Sequence, residues 1–175
     1  MKAEADAALV LARFAAELTY DQLPTDVVSA IKLIILDSLG TTLAANTLGT
    51  GCAEVVQVVR GMGGVPESTL LGFGEKLPAV NAALANGAMA HALNYDNGVG
   101  GAHVGPVTLP AALAVAERDS RVSGREFLTA MAAGGEVVTR VAQATPRTPG
   151  QNHPQPTQIA GYFGAAVAAG RAIRL

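Results

Sequence analysis

The chain has 175 residues, 50% of them apolar, 15% charged and 4% aromatic, with a formal net charge of −2. That balance excludes a nucleic-acid groove, which needs a basic stripe to displace counterions, and the apolar content excludes intrinsic disorder. The one cysteine, Cys52, forms neither an internal disulfide nor a cysteine-rich zinc site, and fits a reducing compartment.

Near the start, Glu4 and Asp6 interrupt what would be a signal peptide. The longest apolar runs, around 31–36 and 79–93, are broken by Lys32, Asp37, Asn81, Asn86 and His91. Neither approaches the roughly 18 uncharged residues that span a bilayer. We expect a soluble, cytoplasmic chain with no membrane and no nucleic-acid partner.

Helical periodicity dominates. Leu9, Phe14 and Leu18 set the first stripe. Thr25 as N-cap and Asp26 open a run, VVSAIKLIILDSLGTTLAA, that is apolar on nearly all sides and is therefore expected to be central and buried. A further helix is predicted over 52–59, ended by GMGGVP. Residues 69–73 form a short β-like stretch. A small-residue helix runs from Leu77 to about Tyr95, equally expected to be buried, and DNGVGGAHVGP follows as a glycine-rich loop. The next helix spans about 108–117. Ser123 and Glu126, in capping-box register, start another that continues to Ala142. A proline-rich polar segment then leads into IAGYFGAAVAAGRAIRL, which is still apolar at Leu175 and reads as a chain that stops where a larger one continues. The expected architecture is one all-α, multi-helix domain over 1–175.

Chemistry concentrates in the segment from Asn94 to His103. Glycines allow close ligand approach, and helix ends offer N–H groups to a carboxylate. Asp96 and His103 form a candidate acid/base pair. The alternative is a plain loop of Asx turns. His91, alone on a helix, reads as a hydrogen-bonded core residue. Residues 152–157 read as a connector as readily as a site. The three histidines show no metal-ligand spacing, and GMGG and LLGFGEKL make no phosphate loop. Glu136 and Arg140 read as a structural i,i+4 ion pair.

Five segments in one order carry a resemblance: LPTDVVSAIKLIILDSLGTTLA, LLGFGEKLPAVNAALANGAMAHALNYDN, AHVGPVTLPAALAVAE, GREFLTAMAAGGEVVTR and HPQPTQIAGYFGAAVAAGRAIRL. Together they resemble the helical part of the MmgE/PrpD family, which includes 2-methylcitrate dehydratase and cis-aconitate decarboxylase. The resemblance implies an all-α domain whose active site faces a smaller α/β lid domain, absent from this chain. It also implies homodimers and cofactor-free, metal-free lyase chemistry on small polycarboxylic acids such as 2-methylcitrate.

Residue by residue, the resemblance makes His103 the catalytic histidine, with Asp96 retained beside it. Asn94, Asn97 and Gly98 stand where the family has two carboxylates and a hydroxyl. In the family's second histidine motif, Gln155 takes the histidine position ahead of Thr157, and His153 lies two residues upstream. The implied site is thus His103, Asp96 and His153 for catalysis, with Asn94, Gly98, Gln155 and Thr157 for substrate. The implied reaction removes a proton beside a carboxylate and expels hydroxide or carbon dioxide. Two other readings stay open. One is an incomplete helical fragment acting in self-association or with a separate lid chain; the other is an epimerase of the iminodisuccinate type. Little or no lyase activity is expected of the chain alone.

Overall fold

Local chemistry sets the helix ends. In the computed structural model, which describes residues 6–145 and 155–175, Asp6 accepts a hydrogen bond from the Ala8 N–H at 2.9 Å and starts α1 (Ala7–Glu17). The predicted capping box at Ser123 and Glu126 is present and opens α6 (Gly124–Ala144). Pro24, not Thr25, is the N-cap of α2 (Thr25–Leu48). The remaining helices are α3 (Cys52–Gly61), α4 (Ala79–Ala92), α5 (Gly105–Arg118) and α7 (Pro156–Ala172). Among the described residues the only strands form two antiparallel ribbons, β1 (Ser68–Leu70) with β2 (Glu75–Leu77), and β3 (Gly98–Val99) with β4 (Ala102–His103). The chain is a multi-helix bundle of the all-α class.

The most central helix is α5, which packs on α2, α4, α6, α7 and β1. It starts at Gly105, three residues earlier than its periodicity suggests, because Pro106 suits a first turn whose N–H groups have no intrahelical partner. The expectation that α2 is buried and central is wrong. Only Ile31, Ser38, Thr41, Thr42 and Ala45 of α2 are buried, while Leu33 and Leu36 are each 66% exposed. By length and composition α2 also meets the requirement for a membrane-crossing helix, although Lys32 and Asp37 sit on it. Its uniform apolar content is therefore an outer leucine stripe added to an inner face of small and hydroxylated residues. Helix α4 is half buried, through Ala79, Ala82, Ala85, Asn86, Met89 and Ala90, with Val80 and Leu84 exposed.

Asn86 is a buried polar residue in the middle of α4 whose amide is satisfied. Its oxygen accepts from the Leu71 N–H at 3.0 Å and its nitrogen donates to the Thr69 carbonyl at 2.9 Å, which fixes the first ribbon on the helix. Three apolar clusters carry most of the packing. Ala45, Val56, Val59, Leu70 and Met89 fill the space around α3, α4 and β1. Ile31, Leu109, Met131 and Ala168 join α2, α5, α6 and α7. Ala102, Val104, Val138 and Ala160 form a third cluster that joins the second ribbon to α5, α6 and α7. Helices α6 and α7 cross at Gly134 and Gly164, close enough that a Cβ on Gly164 would stand 2.1 Å from Val138 Cγ2.

Candidate active site

At the end of α4 the chain reverses sharply. Asn94 adopts a left-handed backbone, φ 49°, and its N–H bonds to the His91 carbonyl at 3.0 Å. Asn tolerates that region better than most residues. The reversal tucks Asp96 beneath the loop, where its side chain has no exposure. One carboxylate oxygen, Oδ1, is 3.0 Å from His91 Nδ1, and the other, Oδ2, is 2.7 Å from His103 Nδ1. The two rings stand 4.8 Å apart between centroids, tilted by 59°.

The His103 contact is close but out of line, and both of its atoms are buried without a hydrogen bond. A carboxylate only accepts, so the Nδ1–H tautomer of each ring would turn its proton toward Asp96 and leave the Nε2 edge to the pocket. The side chains of His91 and His103 remain 44% and 31% exposed.

His103 sits on a tight hairpin. Gly100 and Gly101, with φ of +60° and +86°, make a two-residue turn that demands positive φ at both positions. The turn pairs Gly98 with His103. The His103 N–H donates to Thr157 Oγ1 at 2.9 Å, joining the hairpin to the start of α7. Asn97 faces away from the pocket. Its N–H and Nδ2 donate to Asp37 Oδ2, both at 2.9 Å, and its Oδ1 accepts from the Gly105 N–H at 3.1 Å. It pins α2 to the start of α5.

These elements enclose a cavity of about 800 Å³ walled by α4, the hairpin, α5 and α7. Asn94, His103, Gln155 and Thr157 line it, and so does His91. Gly98 does not; it is exposed on β3, where its role is to pair with His103. His153 lies outside the described residues. The first turns of α5 and α7 both border the cavity, through Pro106, Val107, Gln155 and Gln158, and helix N-termini favour anions. No Asp, Glu, Lys or Arg lines it among the described residues.

The histidines come together although their spacing suggests no metal site. His91, Asp96 and His103 offer ligand atoms within 4.8 Å of one another. In this arrangement the carboxylate lies between the two rings, 3.0 Å from His91 Nδ1 and 2.7 Å from His103 Nδ1. Cys52 is 3% exposed in the α3 core. Burial first, and the Glu54 charge second, push its thiol up, which removes it as a nucleophile. Glu136 and Arg140 pair along α6, away from the site.

Sequence reasoning missed His91, which is a pocket residue and not a core residue. The available signal was its place in the last turn of a helix, five residues before Asp96. The link from Asn97 to Asp37, across 60 residues, had no sequence signal.

Comparison with known proteins places the chain in a family. The MmgE/PrpD N-terminal domain matches residues 10–175. Cis-aconitate decarboxylase of Aspergillus terreus is 27% identical over 140 residues, covering 77% of this chain and 28% of that enzyme. The same enzyme from strain NIH 2624 / FGSC A1156 matches to the same extent. The matched region therefore spans little more than a quarter of these relatives. With the match reaching from the first helix to Leu175, the chain belongs to the MmgE/PrpD family through its N-terminal helical domain.

Proposed function

We propose that this chain forms the helical wall of a cofactor-free lyase site acting on a small polycarboxylate of the 2-methylcitrate or cis-aconitate kind. One observation carries the reading: a histidine backed by a buried carboxylate opens onto a cavity bordered by two helix N-termini. The Nε2 of His103 takes the proton from the carbon beside a substrate carboxylate. The C–H electron pair becomes the new double bond as hydroxide leaves and takes that same proton back from the His103 imidazolium to become water. In a decarboxylation the electron pair comes instead from the breaking C–C bond, and the same ring supplies the proton to carbon. N–H groups in the first turns of α5 and α7 hold substrate carboxylates and the developing enediolate. Asn94, Gln155 and Thr157 orient the substrate.

The open side of the cavity is rimmed by Leu84 and Tyr162, which are 53% and 80% exposed. There the reading puts an α/β lid domain, which completes the cavity wall. The exposed stripe of Leu33, Leu36 and Leu43 on α2, with Gly40 between them, is assigned to a homodimer contact in the cytoplasm. Light scattering tests that assignment: a dimer that becomes monomeric on Leu36→Glu supports it, and an unaltered mass overturns it.

A second reading, an epimerase of the iminodisuccinate type, is favoured by the neutral lining. Asn94 and Gln155 present amides, and among the described residues the titratable groups of the lining are two imidazoles and Tyr162. Epimerisation needs proton carriers and no leaving group. To decide, the purified chain is titrated calorimetrically with 2-methylcitrate, cis-aconitate and iminodisuccinate, and turnover is followed for each. Binding of a polycarboxylate that His103→Ala abolishes supports the lyase reading. Binding and turnover of iminodisuccinate alone favours the epimerase. Equal binding by wild type and His103→Ala overturns both.

A further inference from the structure

We infer that His91 is a positioning residue for His103, acting through Asp96; the inference rests on the lyase reading, in which His103 moves the proton. His91 occupies the last turn of α4, and α4 is held against α5 and β1. Asp96 is carried by the loop between that helix and the hairpin, and His103 by a two-residue strand. Only His91 stands on a long regular element, and side chains on helices are held more accurately than those on loops.

Asp96 is 7% exposed, and the two rings are its side-chain partners, one on each oxygen. With Oδ1 bonded to His91 and Oδ2 held 2.7 Å from His103 Nδ1, the carboxylate plane is set from both sides. With Oδ1 released, it would be free to turn and to offer either oxygen to His103, or to leave it. The second ring also limits tilting of the first, at 4.8 Å between centroids. His103 is thereby located from two sides: its backbone by Thr157, its ring by Asp96, and Asp96 by His91. Burial alone gives no reason for a histidine at position 91, because its side chain is 44% exposed on the pocket wall.

The test reads imidazole tautomers in the uniformly 15N-labelled full chain at alkaline pH, by long-range 1H–15N correlation. Wild type should show both His91 and His103 with the proton on Nδ1. In His91→Leu, His103 should move toward the Nε2–H form that free imidazole prefers. His91→Asn, whose amide nitrogen can replace Nδ1 as donor, should restore it. Titration with cis-aconitate should follow the same order, weakened about tenfold or more in His91→Leu and restored in His91→Asn. An unchanged His103 tautomer in a folded His91→Leu overturns the inference, as does a His91→Asn that behaves like His91→Leu. Should His91→Leu fail to fold, the wild-type spectrum decides, because His91 protonated on Nε2 and not on Nδ1 refutes the role. The tautomer readout needs no substrate. Failure to bind any polycarboxylate, with the tautomers as stated, counts against the lyase reading and not against the coupling of the two rings.

Discussion

Replacing Gly164 by Ala tests how tightly α6 and α7 are packed. The added Cβ would stand 2.1 Å from Val138 Cγ2 and 3.0 Å from the Gly134 carbonyl oxygen. Carbon atoms in good contact are about 3.5–4.0 Å apart, so relief requires a shift of about 1.5 Å. Val138 has no exposure and cannot swing into solvent, and the other obstacle is backbone. The helices α6 and α7 must part. Overpacking of a well-filled core costs about 1–3 kcal/mol, and with one wall rigid and the other buried the upper end applies. Val138→Ala removes the obstructing methyl group and alone costs about 1–2 kcal/mol for the lost apolar contact. The double variant should be less destabilised than the sum of the two, with a coupling of about 1 kcal/mol or more. Urea denaturation followed by circular dichroism, with a common slope, measures all four corners of the cycle. A Gly164→Ala within about 0.5 kcal/mol of wild type, or strict additivity, would refute the close crossing.

Two further outcomes follow from the contacts of Thr157 and Glu126. Thr157→Val removes the acceptor of the His103 N–H and should cost about 1–2 kcal/mol by denaturation, together with weaker polycarboxylate binding, while Thr157→Ser keeps both; a Val variant equal to wild type in both measurements contradicts the contact. Glu126 is held at about 2, down from its ordinary 4.5, by the Ser123 N–H and hydroxyl and then by Arg174. A depressed carboxylate stabilises the fold above its unfolded value and loses that contribution as the pH falls toward the folded one. Melting temperature should therefore drop between pH 4.5 and about 2, and Glu126→Gln should flatten that drop; an identical acid slope in the variant removes Glu126 as its source.

Elements governed by neighbours in sequence were readable in advance. Ser123 and Glu126 predict their helix start because a capping box is closed within four residues. The placement of α2 was not readable, since apolar residues on all sides describe equally a helix wrapped by protein and one with a bare leucine stripe. Only the packing of Ser38, Thr41 and Thr42 inward separates the two. The second ribbon was hidden by its glycines, which looked like a loop, although a Gly-Gly pair between short apolar flanks is itself a hairpin signal. Asp96 and His103 were readable by their chemistry. His91 was not, because its partner is reached only after the left-handed step at Asn94. The tie from Thr157 to the hairpin depends on α7 docking, which no local pattern specifies.

That tie has a consequence for the order in which the site comes into being during folding. His91, Asp96 and His103 lie within thirteen consecutive positions, so their mutual closure involves a short loop and little entropy. The Thr157 hydroxyl that holds the His103 backbone arrives from 54 residues downstream. As synthesis proceeds from the N-terminus, the histidine pair can form on a nascent chain well before anything fixes its strand or closes the α7 wall of the cavity. Competence to bind is thus deferred until α7 has left the ribosome and seated Gly164 against α6.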